Sequence, residues 1–141
     1  MITLPVLLAG ARMVLVEKFS ATRFWSDVRE NRCTAFYYIG EVLRILLKAA
    51  APGDAGASTL RVGWGIGASP ADFIEFQKRH RLTLRSGYGS TEANVCVYLP
   101  HDSPDPASVG RALPGYHVRI VNEHDEPLPA GAMGEIAVRS D

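Results

Sequence analysis

The stretch Leu60-Arg-Val-Gly-Trp-Gly-Ile-Gly-Ala-Ser-Pro-Ala-Asp72, continued from Phe73 to Arg85, decides the fold. Leu60-Arg-Val-Gly-Trp64 reads as a strand. Ser69-Pro-Ala-Asp72 then supplies a capping hydroxyl, a proline at the first helical position and an acid at the third, which together start a helix. Phe73, Ile74 and Phe76 carry that helix to about His80, and Leu82-Thr-Leu-Arg85 reads as the next strand. Strand, helix and strand at this spacing predict a right-handed crossover and a parallel sheet covered by helices.

Towards the N-terminus the same texture repeats. Thr34-Ala-Phe-Tyr-Tyr38 reads as a strand, and Glu41–Ala50 as a helix carrying Val42, Leu43, Leu46 and Leu47. Pro52-Gly-Asp54 closes that helix, and Gly56-Ala-Ser58 continues a loop. Arg12-Met-Val-Leu-Val16 reads as a further buried strand, and Ser20 as the cap of a helix bearing Phe24, Trp25 and Val28. Residues 2–16 are mostly apolar, but no positive residue precedes them and Arg12 interrupts them short of the ~20 residues that cross a bilayer. Two buried segments are expected there, and no membrane anchor.

After Leu99 prolines punctuate the chain and the helical period disappears. His117-Val-Arg-Ile-Val121 and Glu135-Ile-Ala-Val138 alternate as half-exposed strands do, joined through Asn122–Gly134 as a long hairpin connection. A unit of about forty residues is too small to bury a core of its own, so it should lean on the first. The expectation is α/β: a parallel sheet with flanking helices over residues 1–100, then a small β-rich segment over 101–141.

Composition narrows the function classes. Of 141 residues 47% are hydrophobic, so a core is expected and disorder is not. Fifteen Lys and Arg balance fifteen Asp and Glu. That argues against nucleic acid as a partner, which needs clustered excess positive charge. Cys33 and Cys96 offer neither a disulfide framework nor metal-ligand spacing, so a reduced, cytoplasmic protein is the default.

Two segments could carry chemistry. Ser86-Gly-Tyr-Gly-Ser-Thr-Glu92 comes directly after a strand. Gly87 and Gly89 let the backbone turn tightly and approach a ligand, Tyr88 presents a flat aromatic face, Thr91 a hydroxyl, and Glu92 a hard oxygen ligand suited to Mg²⁺. At the carboxyl end of a parallel strand these make a nucleotide and metal constellation, because ligands of open α/β sheets bind at that edge. A glycine turn and then a capping hydroxyl explain the same residues equally well. Gly63-Trp-Gly-Ile-Gly-Ala-Ser-Pro70 could face an anion with its backbone N–H groups, but it lacks a P-loop lysine, and close strand–helix packing accounts for its glycines as well. His80, His101, His117 and His124 sit in no metal-binding pattern and read as exposed or loop histidines. Tyr37, Tyr38 and Trp64 read as core, and Arg23, Arg29 and Arg32, interleaved with Asp27 and Glu30, as a solvated face.

Tyr88-Gly-Ser-Thr-Glu92 resembles the Tyr-Gly-x-Thr-Glu motif of the acyl-adenylate-forming (AMP-binding) superfamily, in particular its acid–CoA ligases. Phe19-Ser-Ala-Thr-Arg-Phe-Trp25, Thr34 and Tyr38-Ile-Gly-Glu41 resemble the carnitine/crotonobetaine–CoA ligase and fatty-acid transport protein branches. Ser108-Val-Gly-Arg111, Pro114-Gly115 and Pro129-Ala-Gly-Ala-Met-Gly-Glu-Ile136 come in the family's order, so the resemblance covers essentially the whole chain. It implies ATP-dependent activation of a carboxylic acid, fatty or carnitine-like, to an acyl-adenylate with release of pyrophosphate, and then transfer to coenzyme A. It implies that Tyr88 stacks on adenine, that Thr91 bonds near the α-phosphate and the acyl carboxylate, and that Glu92 holds Mg²⁺. Thr91 and Glu92 would be the catalytic residues. Gly65, Gly67 and Ala68, with Gly87 and Gly89, would lie along AMP or ATP and the acyl pocket.

The family's phosphate loop ending in lysine lies upstream of the matched region, and its Gly-Asp and its C-terminal lid domain with a catalytic lysine lie downstream. Lys18, Lys48 and Lys78 match none of these contexts. The expectation is a central fragment of a ligase, its lid domain absent, that does not complete the reaction alone. A non-catalytic adenine-nucleotide-binding module and a truncated gene product without enzymatic role are the alternatives.

Overall fold

Apolar side chains that alternate along short strands, two of which lead into amphipathic helices, can be buried only if the helices lie on the face those side chains share. The computed structural model, which describes residues 3–49, 59–100, 103, 105 and 107–141, has that form. In chain order it contains α1 (Thr3–Leu8), α2 (Phe24–Glu30), β1 (Ala35–Ile39), α3 (Gly40–Lys48), β2 (Val62–Ile66) and α4 (Pro70–His80). Next come β3 (Thr83–Ser90), β4 (Asn94–Tyr98), β5 (Arg111–Ala112), β6 (Tyr116–Val121) and β7 (Glu135–Ser140). β1 to β5 form one sheet in that order, and β6 and β7 form a separate two-stranded sheet. β1, β2 and β3 are parallel, with Tyr38 beside Gly65 and Gly65 beside Ser86. β4 and β5 continue the sheet antiparallel.

One face of this sheet carries the core. Trp25 and Val28 of α2, Leu43 and Leu46 of α3, and Phe73 and Phe76 of α4 are buried in one cluster with Tyr38 and Leu84. Ser69 caps α4 as the sequence predicts, its hydroxyl accepting from the Asp72 N–H at 3.1 Å with Pro70 at the first helical position. Arg79 of α4 donates to the Leu47 carbonyl of α3 at 2.7 Å and ties the two helices together. The opposite face carries Tyr37, Ile39, Trp64 and Tyr98. Tyr37 stacks on Trp64 at 5.6 Å, and Ile39 is 57% exposed.

Several expectations are corrected. Residues 11–16 form no strand: they do not pair with the outer edge of β1, which is left as the edge of the sheet, and Leu15 and Val16 are exposed. The segment before them is the short helix α1, which buries none of its residues. Ser20 does not cap α2. Its hydroxyl meets that of Thr22 at 3.1 Å, and the helix begins at Phe24, whose N–H bonds the Ser20 carbonyl at 2.9 Å. β4 is not predicted from sequence at all. It forms as the return arm of a hairpin with β3, burying Cys96 and Val97.

His80 is not an exposed histidine. It is 5% exposed at the end of α4, its ring 4.6 Å from that of Trp25 and 4.4 Å from that of Phe76, and neither ring nitrogen has a partner. Burial pushes its pKa below the ordinary histidine value, Arg79 adding to that shift and Glu75 opposing it. His117 and His124 are exposed as expected, and Cys33 and Cys96 are free thiols. The expected turns at Pro52–Asp54 and Gly56–Ser58, together with Ala50 and His101, lie outside the described residues.

The β-rich segment forms as predicted. β6 and β7 pair antiparallel from Tyr116–Ser140 to Val121–Glu135. Their connection is organised by Asn122, whose side-chain oxygen accepts from the N–H groups of His124 and Glu126.

Candidate functional site

β3 brings the motif to the carboxyl edge of the parallel strands. Contrary to the expected tight turn, Gly87 and Gly89 lie within the strand, which bulges between Tyr88 and Gly89. A β-carbon on Gly87 would stand 2.4 Å from the Val97 carbonyl oxygen, and one on Gly89 would stand 2.0 Å from that of Asn94. These glycines therefore admit β4 at close range. The turn comes one step later, at Thr91–Ala93, where the Ser90 hydroxyl accepts from the Ala93 N–H at 3.2 Å.

Tyr88 is half-buried, and its carbonyl accepts a weak bond from the Cys96 thiol at 3.7 Å. Tyr88 lines a cavity of about 260 Å³ between the main sheet and the β6–β7 hairpin, with Val97, Ala112, Val118 and Ile120 among the walls. Thr91 and Glu92 are exposed on the turn beyond it. A hydrogen bond from the Ser90 side chain, and then one from its own backbone, hold the Glu92 carboxyl below the usual carboxylate range. It is ionised at neutral pH. Among the described residues no three His, Cys, Asp or Glu side chains cluster to hold a metal ion. Mg²⁺ binds commonly through one or two carboxylates and the substrate's phosphates, so a single exposed, ionised Glu92 fits that ion.

The second glycine segment stands beside the first. Because Gly65 pairs with Ser86 and Ile66 with Gly87, Gly67 and Ala68 leave β2 next to the motif. Gly67 has φ +73° and Ala68 packs against the core. Gly65 faces elsewhere: a β-carbon there would stand 2.1 Å from the Tyr38 carbonyl oxygen and 2.5 Å from its ring. Tyr38, read from sequence only as core, is fully buried, and its hydroxyl donates to the Arg85 carbonyl at 2.9 Å. Nothing in the spacing of β1 and β3 residues signals that contact, since 47 positions separate the two.

An aromatic ring, a hydroxyl and a carboxylate thus stand at the carboxyl edge of the parallel strands of an α/β sheet, the edge at which open α/β sheets take ligands. The chain belongs to the AMP-binding enzyme family, whose sequence profile matches residues 1–141. It is 33% identical over 139 residues to the crotonobetaine/carnitine–CoA ligase of Salmonella heidelberg (strain SL476), covering 96% of this chain and 27% of that protein. The chain thus spans about a quarter of the length of the curated relatives it matches. A benzoate CoA ligase from Burkholderia xenovorans LB400 shares the fold with a TM-score of 0.87 at 21% identity, over 96% of this chain and 29% of that one. An amide bond synthetase from Marinactinospora thermotolerans superposes with a TM-score of 0.76 at 28% identity, over 92% of this chain and 28% of that one. No helix among the described residues is long and apolar enough to cross a membrane.

Proposed function

We propose that this chain is the central part of an ATP-dependent acid–CoA ligase and carries the adenine side of its site. The observation that supports this best is the run from Tyr88 to Glu92, which puts a half-buried ring and, on the turn after it, an exposed hydroxyl and an ionised carboxylate at the sheet's ligand edge. In this reading Tyr88 stacks on adenine and Thr91 donates to an oxygen near the α-phosphate, where charge builds as the acid's carboxylate attacks. Glu92 holds Mg²⁺, and the ion when bound supplies positive charge that offsets the phosphates. Gly67 and Ala68 run along the adenine and the acyl pocket, and Gly65, Gly87 and Gly89 keep the strands around that site close.

The acid is carnitine-like or fatty, and the acceptor is the thiol of coenzyme A, a choice supported by the Salmonella relative. Residues 1–100 would be the α/β portion of the AMP-binding domain and 101–141 the start of a β-barrel-like subdomain. Two unbridged thiols support a cytoplasmic setting. The test is titration of the chain with Mg²⁺-ATP against Tyr88→Ala. Stacking of a base on an aromatic ring contributes about 1–3 kcal/mol, so the variant should bind at least about fivefold more weakly. Equal binding by both chains would overturn the adenine reading.

A further inference from the structure

We infer that Tyr38 is a positioning residue for the adenine segment: its phenol passes beneath β2 and braces β3 at Arg85, fixing where Tyr88 stands. This rests on the reading of Tyr88 proposed above. β1 and β3 are not neighbours in the sheet, and strands two apart lie roughly 10 Å from each other. A side chain spans that distance only if the strand between them leaves a path. Gly65 leaves it, since the place a β-carbon would take lies 2.5 and 2.6 Å from carbons of the Tyr38 ring. The hydroxyl then reaches the Arg85 carbonyl at 2.9 Å.

The brace sits immediately before the point where β3 loses β2 as a neighbour and keeps only β4. β3 pairs with β2 only as far as Gly87, bulges after Tyr88, and has glycine on both sides of that tyrosine. Glycine restrains the backbone least of all residues, so the position of Tyr88 depends on what anchors the strand around it. On one side the anchors are the β4 ladder from Gly87 to Ser90, and before it the Tyr38 hydroxyl on Arg85 and the Ser86 carbonyl, which accepts from the Leu99 N–H at 2.8 Å. Packing alone would be served by phenylalanine at 38. A buried hydroxyl costs desolvation unless it is bonded, as this one is. Burial pushes the phenol's pKa far above the ordinary tyrosine value, the Ser86 side chain pulling the other way, so the hydroxyl remains a donor at every ordinary pH.

The test is Tyr38→Phe, which keeps the ring and removes only the donor. Phe36→Leu is the control, because Phe36 packs on the same face of β1 beside Gly63 and its side chain has no donor to offer β3. Hydrogen exchange is read over residues 86–92 and over α3, and AMP is titrated into all three chains. Exchange over 86–92 should quicken about three- to tenfold in Tyr38→Phe, with α3 unchanged, while the control favours neither segment. AMP should bind two- to tenfold more weakly to Tyr38→Phe, by about the worth of one hydrogen bond, and as well to the control as that chain remains folded. Exchange over 86–92 that is unchanged, or that rises equally in α3, overturns the brace. A wild-type chain that binds no AMP overturns the adenine reading instead, and the exchange data still decide the brace.

Discussion

Replacing Gly65 by alanine should destabilise the protein far more than replacing Gly67, although both glycines belong to one short segment. At Gly65 the new methyl would sit 2.1 Å from the Tyr38 carbonyl oxygen and 2.5 Å from its ring. Such atoms rest about 3.5 Å apart. β1 and β2 would have to separate by about 1 Å, or Tyr38 would have to leave its slot and give up its bond to Arg85. Overpacking of this kind costs typically 1–3 kcal/mol, and more when backbone must move; a lost buried hydrogen bond adds about 1 kcal/mol. At Gly67 nothing lies closer than the Gly40 nitrogen at 4.0 Å. The cost there is only that of holding alanine at φ +73°, about 1 kcal/mol. With about 3–4 °C lost per kcal/mol for a chain of this size, Gly65→Ala should melt about 6–16 °C below the wild type and Gly67→Ala roughly 4 °C below. Thermal unfolding followed by circular dichroism measures both. Equal midpoints, or a lower one for Gly67→Ala, would refute the claim that Gly65 exists to clear a path for Tyr38.

Two further outcomes are expected. His80 is neutral in its aromatic slot with its pKa lowered by burial, so the unfolded chain binds its proton first on acidification. Stability should therefore fall as pH drops from about 6.5 towards the lower folded value, and His80→Phe should flatten that slope in urea titrations at pH 7.5 and 5; a slope that persists assigns it to other groups. Arg81 ends α4 in the left-handed region at φ 51°, a conformation that glycine adopts without strain. Arg81→Gly should raise stability by about 0.5–1 kcal/mol in chemical denaturation, and a loss would show that the arginine side chain outweighs the strain.

Local signals suffice for much of this fold. Ser69-Pro-Ala-Asp72 specifies a helix start by its own hydrogen bonds, and the apolar runs at 34–38, 60–64 and 82–85 each mark a strand by patterning that needs no partner. The motif Tyr88–Glu92 is legible because its residue types and order carry the resemblance by themselves. The features that stay hidden depend on partners distant in sequence. Arg12–Val16 has the composition of a strand, but a strand exists only when it pairs with another, and this segment leaves the open edge of β1 unpaired. Asn94–Tyr98 becomes a strand because β3 offers it a ladder, and the glycines at 87 and 89, which suggest a turn, serve to let that strand approach. His80 looks like a surface residue because nothing near it in the chain shows Trp25 closing over its ring.

Sequence by itself therefore determined the class of fold, the start of α4 and the chemistry that the motif offers, since short-range hydrogen bonding and hydrophobic period are properties of neighbouring residues. Only the tertiary structure decided that Gly65 faces Tyr38, that Tyr38 reaches Arg85, and that the two glycine segments stand side by side. Those relations are set by strand order and register, which arise when distant segments pack together and which no local pattern encodes.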